Sequence, residues 1–425
     1  MKNEKLEIRD VTTPSKVRQQ VDGRGTPPGG GRDGQHQPDQ DLLPQSTTPP
    51  APERSLPWRR TLFYLSGLTL IALGFALRLY ALAAESLWYD ELLQLDIAQG
   101  ALGSILPQLP RHAGVPLDYL ISHFWIQLGR GDNWVRLPAV MIGTLTLPVA
   151  YQLGRTLLGK GEGLLLMALL ALSPFHVRYS QEARPYALVV LGVILAGYAF
   201  WRFRATGRWR DLALLQIAVL IFSLAHLFAL VIFVPFLLFA AADFVFGRNR
   251  VAATRSIGAL LGTALVAFIL LLSLGYGSAL YYSTTEFSKA VAEPEKFSAE
   301  AEEKPNRGAG PQVNDFFIKR EIAGPLGAGD SEPVLWLFNG LAGLGLLYLL
   351  TRKRYALSWL LSVWVITPIV LIVAFLVYRG TFFASRYIIS ALPAYLLLLT
   401  VGILALPRWL QCAEPRWVSR GAFLG

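Results

Sequence analysis

Long apolar stretches alternate with short polar ones through most of this chain. Runs near 61–84, 134–154, 162–177, 186–203, 211–226, 227–246, 254–276, 334–351, 355–378 and 386–407 each approach the roughly 20 residues that a helix needs to cross a bilayer. Their length and continuity predict ten membrane-spanning helices, an all-α integral membrane protein. A thirteen-residue amphiphilic run from Pro116 to Leu128 is too short to span and is expected to lie on the outer membrane surface as a juxtamembrane helix. Residues 1–57 are of another kind. Segments such as Thr26-Pro-Pro-Gly-Gly-Gly carry almost no apolar clustering and predict a disordered cytoplasmic tail, with no early apolar region of the kind a signal peptide has. Residues 58–425 then form one transmembrane domain, interrupted by a long outer loop at 277–333.

Composition agrees with the pattern. Of 425 residues 53% are hydrophobic and 16% charged, and the mean hydropathy is +0.42. The single cysteine, Cys412, excludes disulfides within the chain and any cysteine-based metal site.

A net charge of +10 would suggest nucleic acid, but its distribution does not. Alternating the spans from a cytoplasmic N-terminus places Arg59-Arg60, Arg155 and Lys160, Arg202 to Arg210, Arg248 to Arg255, Arg352-Lys353-Arg354 and Arg408 to Arg420 all on the inner side. That is the positive-inside pattern, so the charge is topological and no nucleic-acid partner is expected. Making 116–128 a span would invert every later loop. The run 212–246, basic at both ends, is expected to be a hairpin turning outside near His226.

This topology collects the remaining ionisable groups on the outer face. They are Asp90-Glu91, His112, the stretch His176-Val-Arg-Tyr-Ser-Gln-Glu-Ala-Arg-Pro-Tyr186, His226, and Tyr378-Arg379 through Arg386-Tyr387. Ionisable groups near a bilayer often mark a catalytic site or a substrate path. Neighbouring side chains diverge, so Asp90 and Glu91 are expected to have separate tasks, one acting and the other supporting or contacting a metal. Glu182 and Arg184 form a second ionic cluster, for which a structural ion pair is the plainer reading. Arg386 opens the last span from the side where arginine is scarce, and its planar fork suits a phosphate; an interfacial arginine snorkelling to the surface would look the same. Trp88, Tyr89 and Trp125 could stack on a sugar, although interfacial aromatic belts predict the same residues. His226 alone reads as a hydrogen-bonded turn residue, and no His/Asp/Glu spacing specifies a metal. There is no Walker loop, no GxGxxG following a strand and no GxSxG elbow.

Three stretches in this order resemble the polytopic GT-C glycosyltransferases, in particular the protein O-mannosyltransferases and lipid A aminoarabinose transferases of glycosyltransferase family 39. They are Trp88-Tyr-Asp-Glu91; Pro116-Leu-Asp-Tyr-Leu-Ile-Ser-His-Phe-Trp125 with Trp134-Val-Arg-Leu-Pro138 and Tyr151-Gln-Leu-Gly-Arg155; and Leu172-Ser-Pro-Phe-His-Val-Arg-Tyr-Ser-Gln-Glu-Ala-Arg-Pro-Tyr-Ala-Leu188. The resemblance implies a GT-C-type helical bundle and an inverting transfer of a sugar from a polyprenyl-phosphate donor, at the outer face of the cytoplasmic membrane, to an acceptor hydroxyl on a glycan, lipid or protein. It implies Asp90 as catalytic base, Glu91 and Glu182 as supporting acids, Arg184 and Arg386 as holders of the lipid phosphate, and Trp88, Tyr89, Tyr186, His226 and Tyr387 as sugar or acceptor contacts. The sequence requires no cofactor and leaves a divalent metal open. His112-Ala-Gly-Val-Pro-Leu117 departs from the family's His-Pro-Pro-Leu entry. A transporter or flippase of lipid-linked glycans is the alternative, but the internal repeats and broken polar spans of transporters are not evident. A non-catalytic membrane scaffold would explain the helices and leave the charged cluster unaccounted for.

Overall fold

A computed structural model describes residues 57–112, 114–247, 249–277, 318–327, 331–379 and 383–412; the N-terminal tail, most of the 277–333 loop, and Arg248, Arg416 and Arg420 lie outside them. Every regular element among the described residues is helical. The helices are α1 (Pro57–Leu79), α2 (Tyr89–Gln99), α3 (Leu102–Gln108), α4 (Pro116–Trp125), α5 (Asp132–Leu157), α6 (Lys160–Leu172), α7 (Pro174–Tyr179), α8 (Tyr186–Thr206), α9 (Trp209–Ala225), α10 (Phe233–Phe246), α11 (Arg250–Leu271), α12 (Glu332–Thr351), α13 (Tyr355–Arg379) and α14 (Leu392–Cys412). The caps follow local chemistry. Gly207 closes α8 at φ 64°, its N–H on Phe203 O, and Asn249 opens α11 by accepting the Ala252 N–H at 3.0 Å.

Among the described residues eight stretches are long and apolar enough to cross a membrane: 60–79, 132–157, 186–206, 227–246, 250–276, 332–351, 355–378 and 385–409. Two of the ten expected crossings fall short of that length. The first, α6, ends after thirteen residues at Ser173-Pro174, where Pro174 has no N–H to continue the ladder. The second, α9, has seventeen residues. Both still complete the alternation, because the helix ends sort into two groups. At one end Arg204 grips Asp243 with two bonds of 2.8 Å, joining the last turns of α8 and α10. Arg202 pairs with Asp211 at 2.9 Å, and Arg255 donates to Arg204 O at 3.1 Å. At this same end Arg354 donates to Leu157 O at 2.8 Å, and Arg408 pairs with Glu162. These clips join the C-terminal ends of α5, α8, α10 and α14 to the N-terminal starts of α6, α9, α11 and α13, so the basic segments share one end. The ten segments therefore alternate in direction, seven of them as helices of full length on their own and one, 227–246, with the help of a leading 3₁₀ turn.

The opposite end carries the short helices. With ten residues α4 is about 15 Å long, too short to span, as the sequence suggested. The break between α6 and α7 frees carbonyls at the end of α6, and the fully buried Arg78 from α1 covers them. It donates to Leu170 O and Ala171 O at 3.4 Å each, to Gly74 O at 2.7 Å, and meets His176 Nδ1 at 2.6 Å. Gln181, just beyond α7, returns the favour by donating to Leu77 O, Arg78 O and Tyr80 O at the end of α1.

The centre of the bundle is α8 and α14, both mostly buried, whereas α1 exposes most of its surface. Trp364 fills the space beside Gly197 and bonds Ser390 O at 3.1 Å. Without a hydrophobic drive between helices in lipid, close approach at small residues supplies the packing. Between α12 and α14, a Cβ on Gly345 would overlap the Leu398 carbonyl, and one on Gly402 the Leu341 carbonyl. Gly343, two residues from Gly345, faces open space. Gly345→Ala is therefore expected to destabilise the purified protein by roughly 1–3 kcal/mol. Gly343→Ala is expected to be neutral or to stabilise by up to about 1 kcal/mol, since it only removes backbone freedom. Thermal melts of the two variants in detergent check the contrast.

Candidate active site

The chain leaving α1 turns through residues 80–88 before α2, and its course is set by one arginine inside the bundle. Arg136, on the first turns of α5, donates through Nη1 to Leu82 O at 2.7 Å and Glu85 O at 2.9 Å, and through Nη2 to Ser86 O at 3.2 Å. Its other edge holds Glu91, Nε to Oε1 at 2.9 Å and Nη2 to Oε2 at 2.7 Å. All five guanidinium N–H groups are thereby used. Glu91 also accepts the Ala183 N–H at 2.7 Å and the Trp88 N–H at 3.2 Å. Its carboxylate is fully buried, and four donors occupy its roughly four lone-pair directions. No lone pair is left for the metal contact considered from the sequence. Glu91 supports the site by holding the first loop, α2, α5 and the 181–185 turn together.

Asp90, one residue back and about 100° round the helix, faces elsewhere. Its side chain keeps 29% exposure, with Oδ2 3.4 Å from Arg386 Nη2 and 4.0 Å from Arg184 Nη2. Arg184 Nη1 donates to Asp90 O at 3.2 Å and to Gln94 Oε1 at 3.1 Å. Arg386 sits among three rings, with its Cζ 5.0 Å from the Trp88 centroid, 5.6 Å from Tyr387 and 6.0 Å from Tyr186, a cation–π setting that fixes the guanidinium. The structure thus brings Trp88, Asp90, Arg184, Tyr186, Arg386 and Tyr387 to one place, from three separate stretches of sequence.

Glu182 lies beside them, 3.7 Å from the exposed Arg178. Burial pushes its carboxyl up to about 7, with Arg178 opposing the shift, Glu91 adding to it, and Arg386 and Arg184 opposing it. His226 lies half-buried between α9 and the turn Leu227–Ile232, where its Nδ1 accepts the Phe228 N–H at 3.2 Å. Burial lowers it to about 4 and Arg184 and Arg386 push the same way, so the imidazole is neutral at pH 7. Its ring lies 5.8 Å from Tyr186 and 6.2 Å from Tyr387, behind the aromatic wall rather than at an exposed tip. Tyr89 is 74% exposed. Trp125 stacks on Trp134 at 4.9 Å and donates to Trp134 O, which engages it outside the site. The side chain of His112 lies outside the described residues.

Buried polar atoms without partners are rare in native proteins and cost about 1–3 kcal/mol each. Among the described residues eight such side-chain atoms occur, and four belong to this cluster: Trp88 Nε1, Glu182 Oε2, Arg184 Nε and Arg386 Nε. Three of these four are donors and one is an acceptor. Among the described residues no group of three or more His, Cys, Asp or Glu side chains is placed to hold a metal.

Sequence reasoning singled out neither Arg136 nor Gln94 nor Asp118. Arg136 carried the same signal as Arg386, an arginine inside a span at the end away from the basic loops. Gln94 and Asp118 carried none, since their importance comes only from meeting across α2 and α4.

Residues 113–276 match the family model described as dolichyl-phosphate-mannose-protein mannosyltransferase. The likeness to GT-C glycosyltransferases is borne out over that stretch, which holds Glu182, Arg184, Tyr186 and His226 but begins after Asp90 and ends before Arg386. A search of curated proteins gave no match. Among solved structures, the apo oligosaccharyltransferase of Archaeoglobus fulgidus aligns at 11% identity and a TM-score of 0.46. The alignment covers 82% of this chain and 52% of that one, so the chain spans about half the length of that protein.

The buried pair makes a sharp expectation. Arg136→Met leaves Glu91 charged and unpaired, which should destabilise the protein by about 3–5 kcal/mol, and adding Glu91→Met should recover part of the loss. Unfolding of the three proteins in detergent measures both steps; a loss below about 1 kcal/mol for Arg136→Met would remove the pair from this role.

Proposed function

We propose that this chain is an inverting glycosyltransferase that moves a sugar from a polyprenyl-phosphate carrier to an acceptor hydroxyl, with Asp90 as the general base. The observation that carries the reading is the half-exposed Asp90 carboxylate set against two arginines whose Nε atoms are buried and unpartnered. The matched family's description, which names a dolichyl-phosphate sugar, supports a donor of that class. Positive charge gathered at the opposite end of the bundle supports placing this site on the outer face of the cytoplasmic membrane.

The chemistry asked of the residues is simple. The acceptor oxygen forms a bond to the anomeric carbon from the face opposite the phosphate, and the carbon–oxygen bond to phosphate breaks with its electron pair. The acceptor's proton passes to Asp90, and polyprenyl phosphate leaves as an anion. No strong acid is needed, because the leaving group already carries charge; it needs fixed donors where that charge grows. Arg184 and Arg386 are those donors, preset by Gln94, by the Asp90 carbonyl and by the aromatic rings. Trp88, Tyr186 and Tyr387 wall the sugar, the Trp88 indole N–H and the Glu182 Oε2 serve its hydroxyls, and the exposed Tyr89 faces the acceptor side. His226 keeps the wall in place. The acceptor, whether glycan, lipid or protein, enters from the exposed side of α2, and the lipid chain extends between helices into the membrane.

Membranes containing the wild-type chain or Asp90→Asn, supplied with labelled polyprenyl-phosphate sugars, test the reading. Loss of a general base should slow sugar release by roughly 10²- to 10⁴-fold. Arg386→Lys, which keeps the charge and loses the fork, should weaken donor use at unchanged protein level. Equal turnover by wild type and Asp90→Asn would overturn the assignment of the base. Movement of intact donor without sugar release would replace the enzyme with a flippase.

A further inference from the structure

One buried carboxyl beside this site has no part in the chemistry above. Asp118, on α4, is 8% exposed and lies behind Gln94. The Gln94 amide, itself fully buried, is used from both sides. Its Oε1 accepts from Arg184 Nη1 at 3.1 Å, while its Nε2 donates to Asp118 Oδ2 and to Ser122 Oγ at 3.0 Å. Turning the amide round would set N–H against guanidinium N–H and oxygen against carboxylate, so its orientation is fixed by its partners. Asp118, Gln94, Arg184 and Asp90 form one continuous line from α4 to the reacting carboxylate.

We propose that Asp118 is a positioning residue that sets, through Gln94, the aim and the effective charge of Arg184, so that the hold on a lipid phosphate strengthens when Asp118 takes up a proton. The proposal rests on reading Arg184 as a phosphate holder. When ionised, Asp118 offsets part of the field that Arg184 presents to the site. When neutral, it still offers an oxygen to Gln94 Nε2, and Arg184 presents its full charge to the ligand. Burial raises this carboxyl to about 6, with the Gln94 hydrogen bond and then Arg184 pulling it back, so the change falls within an ordinary working range. The sign follows from linkage. A bound phosphate repels the ionised form, so binding favours the protonated one, and affinity must rise as pH falls through about 6.

The surroundings leave few competing groups. Beside Asp118 on α4 are Tyr119, which is also influenced by Arg184 and Asp90, and His123, whose Nδ1 is engaged with Ala98 O at 2.8 Å. From α2 come Asp90, Glu91 and Asp96, with Glu91 already paired to Arg136, and α5 contributes Asp132 at this end. No titratable residue occurs in α3 or between Leu212 and Ala225 of α9. The remaining group that titrates nearby is Glu182, which faces the same arginines.

Glu182 is therefore removed in the test. Full-length Glu182→Gln protein and the Glu182→Gln/Asp118→Asn double variant, in lipid nanodiscs, are titrated between pH 5 and 8. The probe is a short-chain polyprenyl methyl phosphate, whose single charge does not titrate there, and binding is followed by calorimetry. Glu182→Gln should bind about ten-fold tighter at pH 5 than at pH 8, the effect of one pK unit of linkage. The double variant should bind with a flat profile, at the strength its parent reaches at pH 5. A flat profile for Glu182→Gln, in which Asp118 is intact, overturns the proposal without depending on how the double variant folds. An unchanged slope in the double variant overturns it as well. No binding at any pH by either variant, nor by wild type, would instead sink the lipid-phosphate reading on which the proposal stands.

Discussion

The site depends first on a single ion pair. Arg136 and Glu91 meet inside the bundle, where an unpaired charge would be costly, and each satisfies the other's remaining needs through the backbone. Five donors on one side and four acceptor directions on the other are fully matched. A buried pair of this kind gives specificity of arrangement more than net stability. Here it fixes the loop 80–88, the start of α2 and the turn before α8 relative to α5. Asp90 and Arg184 are placed by that frame and not by any strong contact of their own, since their carboxylate and guanidinium are 4.0 Å apart.

A second frame lies just beneath. Arg78 covers the carbonyls that the Ser173-Pro174 break exposes, and Gln181 covers those at the end of α1. The end of α6 is thus capped by a side chain of α1, and the end of α1 by a side chain from just beyond α7. The short α7 and the 181–185 turn follow directly, which carries Glu182 and Arg184 to the same place as Arg386. At the far end of the bundle the arginine clips are more exposed, as with Arg202 and Arg408, and such rim pairs contribute modestly. Strong constraints therefore gather at one end of the bundle and weak ones at the other.

Much of the architecture could be read from the sequence, because its signals are local. Apolar run length gave the crossings, and the basic loops gave their alternation; the clips Arg204–Asp243 and Arg354–Leu157 join the ends that alternation requires. The two short crossings, α6 and α9, already stood out as the shortest apolar runs, but the break that ends α6 at Leu172 was not legible, since it depends on whether a distant arginine can cover its carbonyls. The gathering of Trp88, Asp90, Glu182, Arg184 and Arg386 was anticipated only as a shared face. The separation of Asp90 from Glu91 was expected, yet which acid faced inward was decided by Arg136, 45 residues along the chain.

The sequence by itself determined the solvent in which this protein folds, the alternation of its helices, and the end of the bundle that holds its spare charges. Those follow from hydropathy and loop charge, which act over a few residues at a time. Tertiary structure alone decided which polar atoms are satisfied and which are left open. Glu91 is fully engaged while Trp88 Nε1, Glu182 Oε2, Arg184 Nε and Arg386 Nε are not, and Asp118 reaches Arg184 only because Gln94 stands between them. Hydrogen bonding is a matter of ångströms and angles between residues far apart in the chain, and no local pattern encodes it.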